Sequence, residues 1–158
     1  NLALTVEYGG KILYASSTNL GAQATYGGAD VEKIYAVTEG ATADMVSPDL
    51  EIAKEIDAQR QFIRITRFDY FSDTVPALLE RGVTFEEIAG NKEILFTLLG
   101  SEDADYSFEH GEYLFGLPIL TQPGQTRAAV KVRVEDMAAF FEELNGREDI
   151  TFEHIYDY

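Results

Sequence analysis

The chain has 158 residues, 46% of them hydrophobic and 12% aromatic, enough for one domain or two small lobes with a real core. Asp and Glu number 28 against 12 Lys and Arg, a formal charge of −16, so its field repels nucleic acid and anionic membrane surfaces. With no cysteine there is no disulfide, thiolate nucleophile or zinc–thiolate site.

Residues 1–60 read as a β-rich N-terminal lobe. Leu2, Leu4 and Val6 alternate with polar or small residues as in a strand, Gly9-Gly10 is a turn, and Lys11–Ser16 is its hairpin partner. Asn19–Gly28 reads as a loop and Val31–Val37 as a strand. Ser47-Pro48-Asp49 has the form of a helix start, with Ser as cap and Pro in the first turn, giving a helix to about Ala58. A strand from Leu50 to Ile56 is the alternative, because the apolar face is thin.

Residues 61–158 read as a lobe of paired strand–helix–strand units. Gln61–Arg67 alternates as a strand; Asp69 or Ser72 caps a helix running to Arg81, with Pro76 tolerated only in a first turn and Gly82 ending it. Strands follow at Val83–Ile88 and Glu93–Leu99, then an acidic loop from Gly100 to Gly111, and a strand over Glu112–Leu120. Gln122-Pro123-Gly124-Gln125 is a turn, and Ala128–Val134 a strand. Glu135 and Asp136 open a helix whose Met137, Phe140, Phe141 and Leu144 form one apolar stripe ending at Asn145-Gly146. Ile150–Tyr156 is the last strand.

A shift of 67 residues lays Ile63-Arg64-Ile65 on Val130-Lys131-Val132, Asp69 on Asp136, and Thr84–Ile88 on Thr151–Ile155. Two repeated strand–helix–strand units are therefore expected over 62–88 and 129–156. The fold class is α+β: two ferredoxin-like units in one mixed sheet, both helices on one face, with a β-rich N-terminal segment.

No catalytic motif emerges. His110 and His154 lack ligand-spaced neighbours, and strand alternation places Glu153 and His154 on opposite faces. Arg60, Arg64 and Arg67 are too sparse for a phosphate track. Glu102, Asp103, Asp105, Glu109 and Glu112 offer oxygens without the spacing of a calcium loop, so a solvated, mobile loop is expected. Tyr106, Phe108, Tyr113 and Phe115 read as one face of a hairpin, and Tyr156 and Tyr158 belong at a sheet edge or junction. No catalytic, cofactor or metal residue is assigned, and no cofactor is expected.

Two family resemblances accompany this reading. The paired units resemble the vicinal-oxygen-chelate fold, whose metal enzymes carry His and Glu on inward strands; the corresponding Arg64, Glu86, Lys131 and His154 are no metal set, so that resemblance implies a small-molecule-binding variant. Residues 62–79, FIRITRFDYFSDTVPALL, and 128–158, AAVKVRVEDMAAFFEELNGREDITFEHIYDY, resemble the extracytoplasmic domains of FtsX-like and MacB-like ABC transporter permeases. That resemblance implies a non-enzymatic interaction or ligand-sensing domain of a membrane complex. Its partners would be other proteins or subunits, and its location the cell surface or periplasm. A chain opening on Asn1 rather than Met reads as a processed product or an excised domain.

Overall fold

The computed structural model describes residues 32–156; the features expected at Leu2–Gly28, and Tyr158, lie outside them. Eight strands and two helices fall in the order β1 (Lys33–Glu39), β2 (Leu50–Glu55), β3 (Arg60–Thr66), α1 (Asp69–Glu80), β4 (Thr84–Ile88), β5 (Glu93–Ser101), β6 (Gly111–Pro118), β7 (Gln125–Arg133), α2 (Met137–Asn145) and β8 (Ile150–Tyr156). The fold is α+β, and each half carries its strand–helix–strand unit.

The units do not share a sheet. One four-stranded sheet has the order β2-β3-β1-β4 and the other β6-β7-β5-β8. Adding four to each strand number converts the first order into the second, so the repeat runs through whole β-β-β-α-β halves. The sequence shows only its second part because the early spacings differ: β1 and β5 begin 60 residues apart, β3 and β7 align at 67. β1 and β2 thus belong with β3 and β4, and the division expected at residue 60 does not follow the sheets.

Local chemistry explains most elements. β5 is central and mostly apolar, with Ile94, Phe96 and Leu98 buried between β7 and β8. Along α1, Phe71, Val75 and Leu78 fall on one buried stripe. Gly82, at φ +83°, closes α1 in the left-handed conformation: its N–H donates to Leu79 O, and the Val83 N–H reaches back to Leu78 O.

Two local expectations need correction. Ser47-Pro48-Asp49 starts no helix; Ser47 and Leu50 exchange backbone hydrogen bonds across a tight turn, Ser47 Oγ accepts the Asp49 N–H, and the chain enters β2, paired with β3. The same residues are good turn formers, and strand pairing decides between the two uses. Pro76 lies in the middle of α1, where burial of Phe71, Val75 and Leu78 outweighs the missing backbone donor.

One core joins both halves, with Phe71, Phe85, Phe96 and Phe140 fully enclosed. Phe140 meets Phe96 edge-on at 5.0 Å and Phe108 at 5.2 Å. Gly111 makes room for this cluster, since a Cβ there would stand 2.9 Å from Phe140 Cε2 and 2.8 Å from Val130 Cγ1. The start of each half's helical segment lies against the other half's last strand. The 3-10 turn at Val134–Asp136 packs on β4. In α1, Ser72 Oγ accepts the Ile155 N–H of β8 at 2.9 Å and contacts His154 Nδ1 at 2.8 Å.

Several surface carboxylates are held acidic. The Arg60 guanidinium, with the Arg60 and Gln59 N–H groups, holds Asp57 down at about 2. The Thr42 hydroxyl and then Arg81 lower Asp44, Arg147 lowers Asp149, and Arg127 lowers Glu153. A depressed folded-state pKa contributes stability that is complete above the unfolded value of about 4 and lost as pH falls through the folded value. The opposing effect, relief of repulsion in a chain of charge −16, is screened by salt. In high salt the urea midpoint should therefore hold from neutrality to about pH 5 and then fall steadily toward pH 2. A midpoint that rises over that interval would refute the pairing account.

Candidate interaction surface

Among the described residues, β6 holds four of the exposed large apolar side chains: Tyr113, Leu114, Phe115 and Leu117. Each sheet has two edge strands, whose outer backbone groups need a partner or a deterrent. β4 has the 3-10 turn of the other half against it. β8 has Ser72 on its Ile155 N–H. β2 carries Glu51, Lys54 and Glu55, charges that discourage edge pairing. β6 has Glu112 near one end, Pro118 at the other and a bulge at Leu114, but the side chains between them are apolar and exposed.

Residues 113–126, YLFGLPILTQPGQT, contain no charge, the longest uncharged run between residues 32 and 156. The next longest, 94–101, falls within the buried central strand β5. Here the residues are exposed: Tyr113, Leu114, Phe115 and Leu117 are each 42–59% accessible, and Leu120, at the following turn, 91%. These residues form an exposed apolar patch on a chain of charge −16.

A bulge sets the geometry. Tyr113 pairs with Val130 and Phe115 with Ala129, leaving Leu114 as the extra residue. Tyr113 stays on the helix side of the sheet, where its ring stacks on Tyr106 at 5.8 Å and its hydroxyl occupies the space a Cβ at Gly116 would need. Phe115 and Leu117 turn to the outer face beside Ala129 and Arg127. Leu114 joins Leu95, Lys131 and Tyr156 around a shallow depression there. The aromatics expected on one hairpin face are thus divided: Tyr106 and Phe108 lie in the loop before β6, Tyr113 faces inward, and Phe115 outward.

The acidic loop is tied to the rest of the fold by several contacts. Tyr106 donates to Ser101 O, Phe108 packs on Phe140, and Glu143 of α2 accepts the N–H groups of Glu109 and His110. Arg147 donates to the Asp105 carbonyl, and Asp105 Oδ1 accepts the Ser107 N–H. Among the described residues, no three His, Asp or Glu side chains are arranged to hold a metal ion.

The remaining sequence candidates disperse. Arg60 pairs with Asp57, and Arg64 with Glu51 at 2.5 Å, while Arg67 lies over the Phe68 ring. Of the strand residues compared with the oxygen-chelate family, Lys131 pairs with Glu112 and Glu86 stands near Arg60. Glu153 and His154 do converge, against the alternation argument. β8 pairs Phe152 with Leu98 and His154 with Thr97, so Glu153 is an extra residue, and both side chains line a polar hollow with Thr97, Arg127 and Tyr156. Arg127 grips Glu153 through two hydrogen bonds of 2.5 and 2.6 Å, which closes that hollow's main charges on each other. His154 meets both Ser72 and Asp69 through the same nitrogen, Nδ1, at 2.8 and 4.0 Å, so the three groups form no nucleophile–base–acid chain.

A cavity of about 590 Å³ lies between α1 and α2 above β8, lined by Pro76, Leu79, Phe141 and Phe152 with Glu80 and Glu142 among its polar residues. Sequence reasoning passed over both this cavity and the β6 surface. The cavity depends on how the halves pack, but the uncharged run was visible in the sequence.

No family model matches the chain, and no curated protein and no solved structure matches it.

Proposed function

We propose that the protein is a non-enzymatic interaction domain that binds another protein through the outer face of the second sheet, around Leu114, Phe115 and Leu117. The exposed, charge-free run at β6 carries this reading. Among the described residues, the carboxylates with a displaced titration, Asp44, Asp57, Asp105, Asp149 and Glu153, are each pulled downward by hydrogen-bonding partners, so none of these five is raised as a general acid near neutrality requires. In keeping with the permease resemblance, we place the domain outside the cytoplasm, with subunits of a membrane transport or envelope complex as partners.

A photo-crosslinking residue at Phe115 tests the reading in the host cell, with the same residue at Lys54 on β2 as control. The expected result is one discrete adduct at 115, identified by mass spectrometry, and none at 54. Identical patterns at both positions would contradict it.

A second reading, a small-molecule-binding module, is favoured by the cavity between the helices, whose volume falls in the range of ligand pockets. The two readings separate at Phe115, which lies outside that cavity.

A further inference from the structure

We propose that the cavity between α1 and α2 binds an organic cation, a protonated amine or quaternary ammonium carried on an aromatic or apolar frame. This rests on the second reading, the small-molecule-binding module, and adds the chemical class of its ligand.

The lining is divided by depth. Leu79 of α1, Phe141 of α2 and Phe152 of β8 are partly buried and packed against the core, so they form the inner wall. The Phe141 and Phe152 rings meet edge-on with centroids 5.2 Å apart. Aromatic faces attract cations, most strongly where water is excluded. Glu80 and Glu142 are exposed, so their carboxylates stand at the mouth. Among the described residues, neither carboxylate has a hydrogen bond or an ion pair.

Charge then selects the ligand. Leu79 and Glu80 end α1, and Leu144 and Asn145 end α2, so both helices bring their C-terminal ends to the cavity. A helix carries partial negative charge at that end and favours a cation beside it. Neither last turn holds a basic residue. Arg81, just beyond α1, is taken by Asp44. Arg147, the basic residue of the lining, donates to both oxygens of Asp149 at 3.0 Å and to the Asp105 carbonyl, acceptors that are not part of the lining. The unmatched charge at the mouth is therefore negative. An apolar cation satisfies the inner wall, the two carboxylates and the helix ends together. A neutral molecule leaves the charges without a counterpart, and an anion is repelled by them.

The test uses the full chain and three compounds on one frame: naphthylethylammonium, naphthylethanol and naphthylpropanoate. Binding is read by NMR titration of the signals of Leu79, Phe141 and Phe152. We expect saturable binding of the ammonium at low salt, about fivefold or more tighter than the alcohol, with the carboxylate weakest. Glu80→Gln combined with Glu142→Gln should bring the ammonium down to the affinity of the alcohol and leave the alcohol unchanged. Both positions are exposed, so the fold tolerates the change. Equal affinity of ammonium and alcohol, a tighter carboxylate, or an ammonium affinity untouched by the paired substitution would overturn the cationic ligand and leave the module reading standing. No saturable binding of any of the three, or shifts confined to other surfaces, would overturn the cationic ligand and the module reading together.

Discussion

Phe140→Ala should lower the stability of the domain by about 3–5 kcal/mol, measured as the change in unfolding free energy by urea titration. The ring is fully buried at the junction of α2, the central strand β5 and the loop before β6. Its loss removes the edge contacts to Phe96, Phe108 and Phe141, and opens a cavity against Gly111, which has no side chain to fill it. Phe141, on the same helical stripe, is only partly buried, so Phe141→Ala should cost clearly less. Equal losses at the two positions would mean that the stripe is turned differently from the arrangement described. Because Phe108 leans on Phe140, the loss should also loosen residues 102–110, seen as faster amide exchange at Glu109 and His110.

The strands and helices of residues 61–156 were legible because each announces itself locally. β3 and β7 alternate, α2 has a clear stripe, and Gly82 and Pro123-Gly124 stand where turns need them. The repeat at 67 residues was legible for the same reason, since it covers segments whose spacing is conserved between the halves. What was not legible depends on pairing. Nothing local says that β1 lies between β3 and β4, or that the second unit builds its own sheet; those choices are made by contacts far apart in sequence. Likewise the bulges at Leu114 and Glu153 reverse the facing of the residues beside them, and alternation counting cannot anticipate an inserted residue. The anchoring of the acidic loop was missed because its partner, Glu143, lies 33 and 34 residues away.

The proposed interaction surface was hidden differently. In the sequence, YLFGLPIL looks like any buried strand. Only its position at an edge, with Phe115 and Leu117 outward, turns the same residues into an exposed patch. Burial elsewhere makes the patch anomalous: β5, its apolar counterpart at the sheet centre, is enclosed.

The most direct measurement is therefore the paired substitution Phe115→Glu with Leu117→Glu, read for both stability and partner contact. Both side chains are more than half exposed, so the folded chain should lose no more than about 0.5 kcal/mol, as for other surface changes. Contact with the partner, followed by crosslinking from Leu114, should fall by about 30-fold or more, as expected when interface anchors are replaced by charge. A stability loss of several kcal/mol, or an unchanged crosslink yield, would contradict the account.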